Sequence, residues 1–134
     1  MFGMKSLQRM QLSTNNLSGT FTVAGPSPNL TYLSLSTNKL TGFVGGGILT
    51  NLQDLFLQNN EFQGDFIITA ENFPDSIERL FFSFNPGLES IDAESNVVPN
   101  LTYLGVTNQD ITTLVGSELC DRQALFIDPS NACA

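Results

Sequence analysis

A repeated spacing of apolar residues constrains this chain more than any other feature. The pentapeptide Asn-Leu-Thr-Tyr-Leu occurs twice, at Asn29–Leu33 and Asn100–Leu104. Around and between these copies runs a longer pattern, L-x-x-L-x-L-x-x-N-x-L. It reads Leu7, Met10, Leu12, Asn15, Leu17, then Leu30, Leu33, Leu35, Asn38, Leu40, then Leu52, Leu55, Leu57, Asn60, Phe62. The fourth copy is Ile77, Leu80, Phe82, Asn85 and, after one extra residue, Leu88. The fifth is Leu101, Leu104, Val106, Gln109, Ile111. Units of this length cannot bury an apolar face alone, but stacked on their neighbours they share a continuous core.

The period-two alternation inside each copy makes a short strand with one face buried. Successive copies then pair as parallel strands, with the chain returning behind them. The expected fold is an α/β solenoid, a right-handed superhelix with a concave parallel sheet and a mostly irregular or 3-10 convex side. Chain length is that of one domain, residues 1–134, with repeats starting near 7, 30, 52, 77 and 101 and a C-terminal cap over about 117–134. Asn15, Asn38, Asn60 and Asn85 fall where each strand turns away. A side-chain amide there can satisfy backbone groups of its own turn and the next. Gln109 departs from this column. A second apolar column, Phe21, Val44, Phe66, Ile91 and Leu114, is expected to pack inside the returning segments. The run Gly45-Gly46-Gly47 is expected to form a tight return connection.

These residues resemble the leucine-rich-repeat family over essentially the whole chain from Leu7. Leu17-Ser18-Gly19, Leu40-Thr41-Gly42 and Phe62-Gln63-Gly64 look like the L-S/T-G extension of the plant-type subclass. That subclass includes receptor-like kinase ectodomains, receptor-like proteins and enzyme-inhibitor proteins. Its following I-P survives here only as the apolar Phe21, Val44 and Phe66, and the fourth and fifth repeats lack the glycine. Extracellular members are closed by cysteine-containing caps, and the stretch Cys120–Cys133, with Leu125 and Ile127 as a degenerate sixth strand, is similar. Two readings of Cys120 and Cys133 stand at this point. One is a disulfide closing a loop of about 13 residues, worth roughly 3 kcal/mol in the chain-entropy description. The other is a pair of free thiols buried as small apolar groups.

Charge narrows the partners. The formal net charge is −8, which argues against nucleic acid and anionic membrane. Residues 1–53 hold Lys5, Arg9 and Lys39 and no acid, whereas the remainder holds all 13 acids against Arg79 and Arg122. The acids read as a solvated outer face, since no stretch alternates as a calcium loop must. No apolar run is long enough to span a bilayer, so no membrane contact by this segment is expected. There is no histidine, which removes histidine-based metal sites and Ser-His-Asp or Cys-His nucleophile systems. No glycine-rich phosphate loop exists, because Gly45–Gly47 lacks a following Lys-Ser/Thr. We therefore expect no catalytic residues, no metal and no cofactor. The opening MFGMKSLQRMQ has no apolar signal region. The chain is read as cytoplasmic or as a fragment without its leader, and the repeats favour the second, extracellular or at the cell surface. Sequons at Asn16, Asn29 and Asn100 are candidate N-glycosylation sites, the last two immediately before strands.

The outward strand positions carry the functional clue. The third positions are Arg9, Tyr32, Asp54, Arg79 and Tyr103. The fifth are Gln11, Ser34, Phe56, Phe81 and Gly105, with Phe126 from the degenerate repeat. Phe84 follows at the eighth position of the fourth repeat. Aromatic groups on an exposed concavity are typical anchors for binding, so Tyr32, Asp54, Phe56, Arg79, Phe81, Phe84 and Tyr103 are the candidate ligand-binding residues. Asp54 and Arg79 are expected to border the strip with opposite charges and orient a ligand. A ladder that merely covers the sheet is the plain alternative. The resulting expectation is a non-enzymatic module recognising a protein, peptide or glycan. The rival readings are the ectodomain of a leucine-rich-repeat receptor-like kinase and a structural repeat fragment without ligand.

Overall fold

Each alternating triplet becomes a three-residue strand centred on its first apolar residue. In the computed structural model, which describes residues 5–107, 118–128 and Cys133, these strands are β1 (Arg9–Gln11), β3 (Tyr32–Ser34), β5 (Asp54–Phe56), β7 (Arg79–Phe81) and β9 (Tyr103–Gly105). The segment after Cys120 adds β10 (Phe126–Asp128). All six form one parallel sheet in the order β1-β3-β5-β7-β9-β10. The register is one-to-one, so Met10, Leu33, Leu55, Leu80, Leu104 and Ile127 share a row. The solenoid expected from the repeat is the fold observed.

The returning side is largely irregular backbone but also carries four strands. β2 (Ser18–Thr22) pairs with β4 (Lys39–Val44), and β6 (Gln63–Ile68) pairs with β8 (Gly87–Ala93), as two separate parallel pairs. Both pairs contain a register shift, after Gly19 and after Gly64. These glycines sit at φ of 72° and 69°, a left-handed conformation that costs glycine nothing. The first shift passes over Thr41 and leaves Phe21 opposite Phe43, 22 residues on, whereas the expected column counted 23 residues to Val44. A one-residue slip turns every side chain to the other face. The expectation for Val44 is therefore corrected: Phe43 is 2% exposed and Val44 37%. Ile91 is buried, and Phe21 and Phe66 pack against the core half-buried. Leu114, Gln109 and Ile111 lie outside the described residues.

Inside, the leucines of repeats two to five are fully enclosed, whereas Leu7, Met10, Leu12 and Leu17 at the β1 edge are only half-buried. Behind them stands a phenylalanine cluster. Phe43 contacts Phe21 and Phe73, Phe66 contacts Phe73, Phe62 and Phe82, and Phe62 meets Phe82 edge-on. Phe73 thus bridges the two small sheets, a role its place between repeats concealed. The glycine run serves close packing: the Gly45 N–H donates to Asn72 Oδ1 at 3.0 Å, and the Gly47 N–H to the Glu71 carbonyl at 3.0 Å. A β-carbon on Gly46 would collide with the Asn72 carbonyl oxygen and the Phe43 ring.

The asparagine column is a ladder that points backwards. The Asn38 amide group donates to the carbonyls of Leu35 and Ser36 in its own turn and of Leu12 in the turn before. Its Oδ1 accepts from the Asn15 and Leu17 N–H groups, 3.1 Å each. Asn60 repeats this with Leu57, Gln58, Leu35 and the Leu40 N–H, and Asn85 with Phe82, Leu57 and the Phe62 N–H. The expectation that each amide serves the next turn is corrected to the preceding one. Asn15, with only Leu12 and Ser13 to bond, is exposed.

At the other end, Cys120 and Cys133 are joined, their Cα atoms 5.7 Å apart. The Arg122 guanidinium holds the Val97 and Val98 carbonyls at 2.7 and 2.8 Å and the Glu118 carboxylate at 2.8 Å. β10 places Phe126 opposite Tyr103, in the third-position column and not the fifth. The reason is that Ile127, not Leu125, takes the row of buried leucines.

Candidate ligand-binding face

Parallel pairing without stagger brings residues from strands 22–25 positions apart in sequence into two outward columns. One holds Arg9, Tyr32, Asp54, Arg79, Tyr103 and Phe126, and the other Gln11, Ser34, Phe56, Phe81, Gly105 and Asp128. The aromatic rings cross between the columns to make one continuous stack. Tyr32 meets Phe56 at 4.9 Å between centroids, Phe56 meets Phe81 at 4.5 Å, Phe81 meets Tyr103 at 5.1 Å, and Tyr103 meets Phe126 at 5.7 Å. The Arg9 guanidinium lies 3.6 Å from the Tyr32 ring centre and closes that end. The crossings occur beside Ser34 and Gly105, where the facing residue is too small to obstruct a ring. Contacts of this kind contribute about 0.5–1.5 kcal/mol each beyond burial.

Phe84 is not part of the stack. It occupies the position just before the ladder asparagine, where each turn goes left-handed: Thr14, Thr37, Asn59 and Phe84 have φ of 57°, 56°, 56° and 61°. Short polar residues tolerate this, whereas a phenylalanine there is strained. Its ring is nonetheless 43% exposed.

Asp54 and Arg79 come together, but not as two separate border charges. Arg79 Nε and Nη2 donate to the two Asp54 carboxylate oxygens at 2.6 and 2.8 Å. The hydrogen bond that Arg79 donates to Asp54, and then the charge of Asp54, hold the Arg79 pKa above the ordinary value. Since the Arg79 side chain is 57% exposed, such a pair is worth at most about 1 kcal/mol. Its geometric effect is larger, because it fills the inside of the bow where the rings shift to the fifth-position column. At the far end the Tyr103 hydroxyl donates to Asp128 Oδ2 at 2.9 Å. Burial, then this bond, push the Tyr103 pKa up.

Asn16, Asn29 and Asn100 are all exposed. The Asn29 amide donates to the Lys5 carbonyl and the Asn100 amide to the Asp75 carbonyl. With Asn51, which donates to Pro28, they form a second asparagine column before the strands. Its signal was available in the shared position of Asn29, Asn51 and Asn100 immediately before the first leucine of a repeat. Arg9 and Phe126 complete the face as its two ends.

Comparison with known proteins bears on this arrangement at one repeat. The Leucine Rich Repeat family model matches residues 29–49, the turn that contains β3, β4 and Asn38. The match supports a leucine-rich-repeat protein. Comparison with curated proteins and with solved structures gives no match. The leucine-rich repeat points to a protein-interaction module, a scaffold that is generally non-enzymatic. Among the described residues no group of acids and cysteines is placed to hold a metal ion. No helix there is long and apolar enough to cross a membrane.

Proposed function

We propose that this leucine-rich-repeat chain is a non-enzymatic recognition module that binds a protein, peptide or glycan through the aromatic stack on its main sheet. The observation that carries this reading is continuity: Tyr32, Phe56, Phe81, Tyr103 and Phe126 touch in sequence across five strands. An apolar strip of that length on an open face marks an interaction site more often than an idle surface. Asp54 and Arg79 act there as one neutral unit that sets the path of the rings. Phe84, held out at a backbone cost, is the flanking contact. The joined cysteines and the exposed sequon asparagines Asn16, Asn29 and Asn100 support an extracellular or cell-surface setting, with glycans carried on the flanks and away from the stack.

The test is a paired substitution. Phe81→Ser removes a half-buried outward ring and is expected to abolish recovery of a binding partner while leaving the fold intact. Phe82→Ser, one residue on and fully buried, is expected to destabilise by about 3–5 kcal/mol. If Phe81→Ser retains the partner, the stack is not the site.

A further inference from the structure

The ring geometry allows the ligand class to be narrowed, an inference that rests on the stack being the binding site. Phe56 and Phe81 are 4.5 Å apart with planes 4° from parallel. Rings lying side by side in one plane would overlap at that separation, so these two are stacked face to face along the solenoid. Their faces are spent on each other, and the outer face of Tyr32 is covered by Arg9. What the stack turns toward a ligand is ring edges, which carry the positive end of the aromatic quadrupole. A sugar ring recognised by stacking needs an exposed aromatic face, and between Tyr32 and Tyr103 the stack offers none, its end ring Phe126 being the mostly exposed one. Ring edges suit aliphatic side chains and backbone carbonyl oxygens, which an extended peptide supplies.

The rung spacing selects among extended peptides. Parallel strands lie about 4.8 Å apart, so two rungs span roughly 9.6 Å. A polyproline II strand returns the same face every three residues, about 9.3 Å. It therefore stays in step with alternate rungs. A β-strand returns its face about every 6.7 Å and falls out of step by the second contact. Six rungs span roughly 24 Å, or about eight residues at 3.1 Å each. The ends have opposite charge: Arg9 stands at the β1 end, and Asp128 lies beside Phe126 at the other.

We infer that the stack is a groove for a proline-rich peptide of about eight residues in the polyproline II conformation, with an acidic flank at the Arg9 end and a basic flank at the Asp128 end. The occupied mode is packing of prolyl rings against aromatic edges, which forfeits little conformational entropy because the ligand is already extended.

Fluorescence anisotropy tests this with four labelled probes and the intact chain. The first carries two glutamates, eight prolines and two lysines, and the second replaces its charged ends with glycine and serine. The third is a Gly-Ser peptide of equal length with the charged ends kept, and the fourth is cellohexaose. The charged proline probe should bind at least tenfold more tightly than the Gly-Ser probe. Phe126→Ser, at a 56% exposed ring, and Phe81→Ser should each weaken it several-fold. Arg9→Ala should weaken the charged proline probe by a larger factor than the uncharged one. Equal binding of proline and Gly-Ser probes, or indifference to both ring substitutions, overturns the inference. Phe81-dependent binding of cellohexaose also overturns it while leaving the stack as a binding site. Loss of a natural partner on Phe81→Ser with no response to the proline probe has the same meaning.

Discussion

Replacing Asn60 by leucine is the most direct way to measure what the asparagine ladder contributes. The side chain is 4% exposed and lies in the middle repeat. Its Oδ1 accepts from the Leu40 N–H at 3.0 Å, and its amide group donates to Leu35, Leu57 and Gln58 carbonyls at 3.0, 3.1 and 3.3 Å. The losses are unequal. The Leu35 carbonyl keeps Asn38 as a donor, and the Leu57 carbonyl keeps Asn85. The Leu40 N–H loses its acceptor in a buried site, which costs about 1–3 kcal/mol. Weakening the two shared carbonyls adds to this, and the extra buried methyl groups offset a part, for a total of about 2–4 kcal/mol. With a urea slope of roughly 1–3 kcal/mol per molar, the unfolding midpoint should fall by about 1–2 M, followed by far-UV circular dichroism. Asn16→Leu, exposed and just off the column, should cost under about 1 kcal/mol. Equal shifts for the two variants would refute the claim that buried backbone satisfaction, rather than surface polarity, fixes asparagine at Asn60.

Three further outcomes are expected. Intact mass after alkylation without reductant should show no labelled cysteine, and reduction should remove roughly 3 kcal/mol of stability; two freely alkylated thiols in oxidised, folded protein would contradict the joined cap. Phe84→Asn relieves a left-handed phenylalanine and should raise stability by about 0.5–1 kcal/mol while weakening binding, so a lower denaturation midpoint would count against the strain. The raised Tyr103 pKa means that the neutral phenol is favoured in the folded state. Its contribution is complete below the ordinary tyrosine range near pH 10 and is lost as pH rises through the folded value. Tyr103→Phe should therefore flatten the alkaline fall in stability, and an unchanged slope would dismiss the burial and bonding of Tyr103 as its origin.

The core was legible because each apolar position recurs at a spacing that only parallel stacking can satisfy. Phe56 beside Phe81 followed from the same register, and so could the Asp54–Arg79 pair have done, since the two occupy one column in adjacent strands. Val44 was misplaced because the 23-residue spacing of the first two main-sheet strands does not hold on the back, where Phe21 pairs 22 residues on with Phe43. Phe126 was misplaced because the one asparagine of its repeat, Asn131, falls at the ladder position of neither phase, so Leu125 and Ile127 could be slid by two. Phe73 was missed because it belongs to no repeat. How the rings of the stack are turned could not be read from residue types alone, since face-covered and face-exposed rings are written with the same letters.

The front of the molecule is one sheet of six strands, while the back is interrupted between β4 and β6. A beam built this way is stiff on one surface and scored across the other. Bending will concentrate at the score, which is crossed by the turn hydrogen bonds of Leu40 with Asn60 and Glu61, by loop contacts such as those of Gly45–Gly47 with Ala70–Asn72 and by the wedge of Phe73. Strands β3 and β5 lie opposite that line, and with them the step from Tyr32 to Phe56. A small flexure there would open or close one interval of the stack and leave the Phe56–Phe81 interval unchanged.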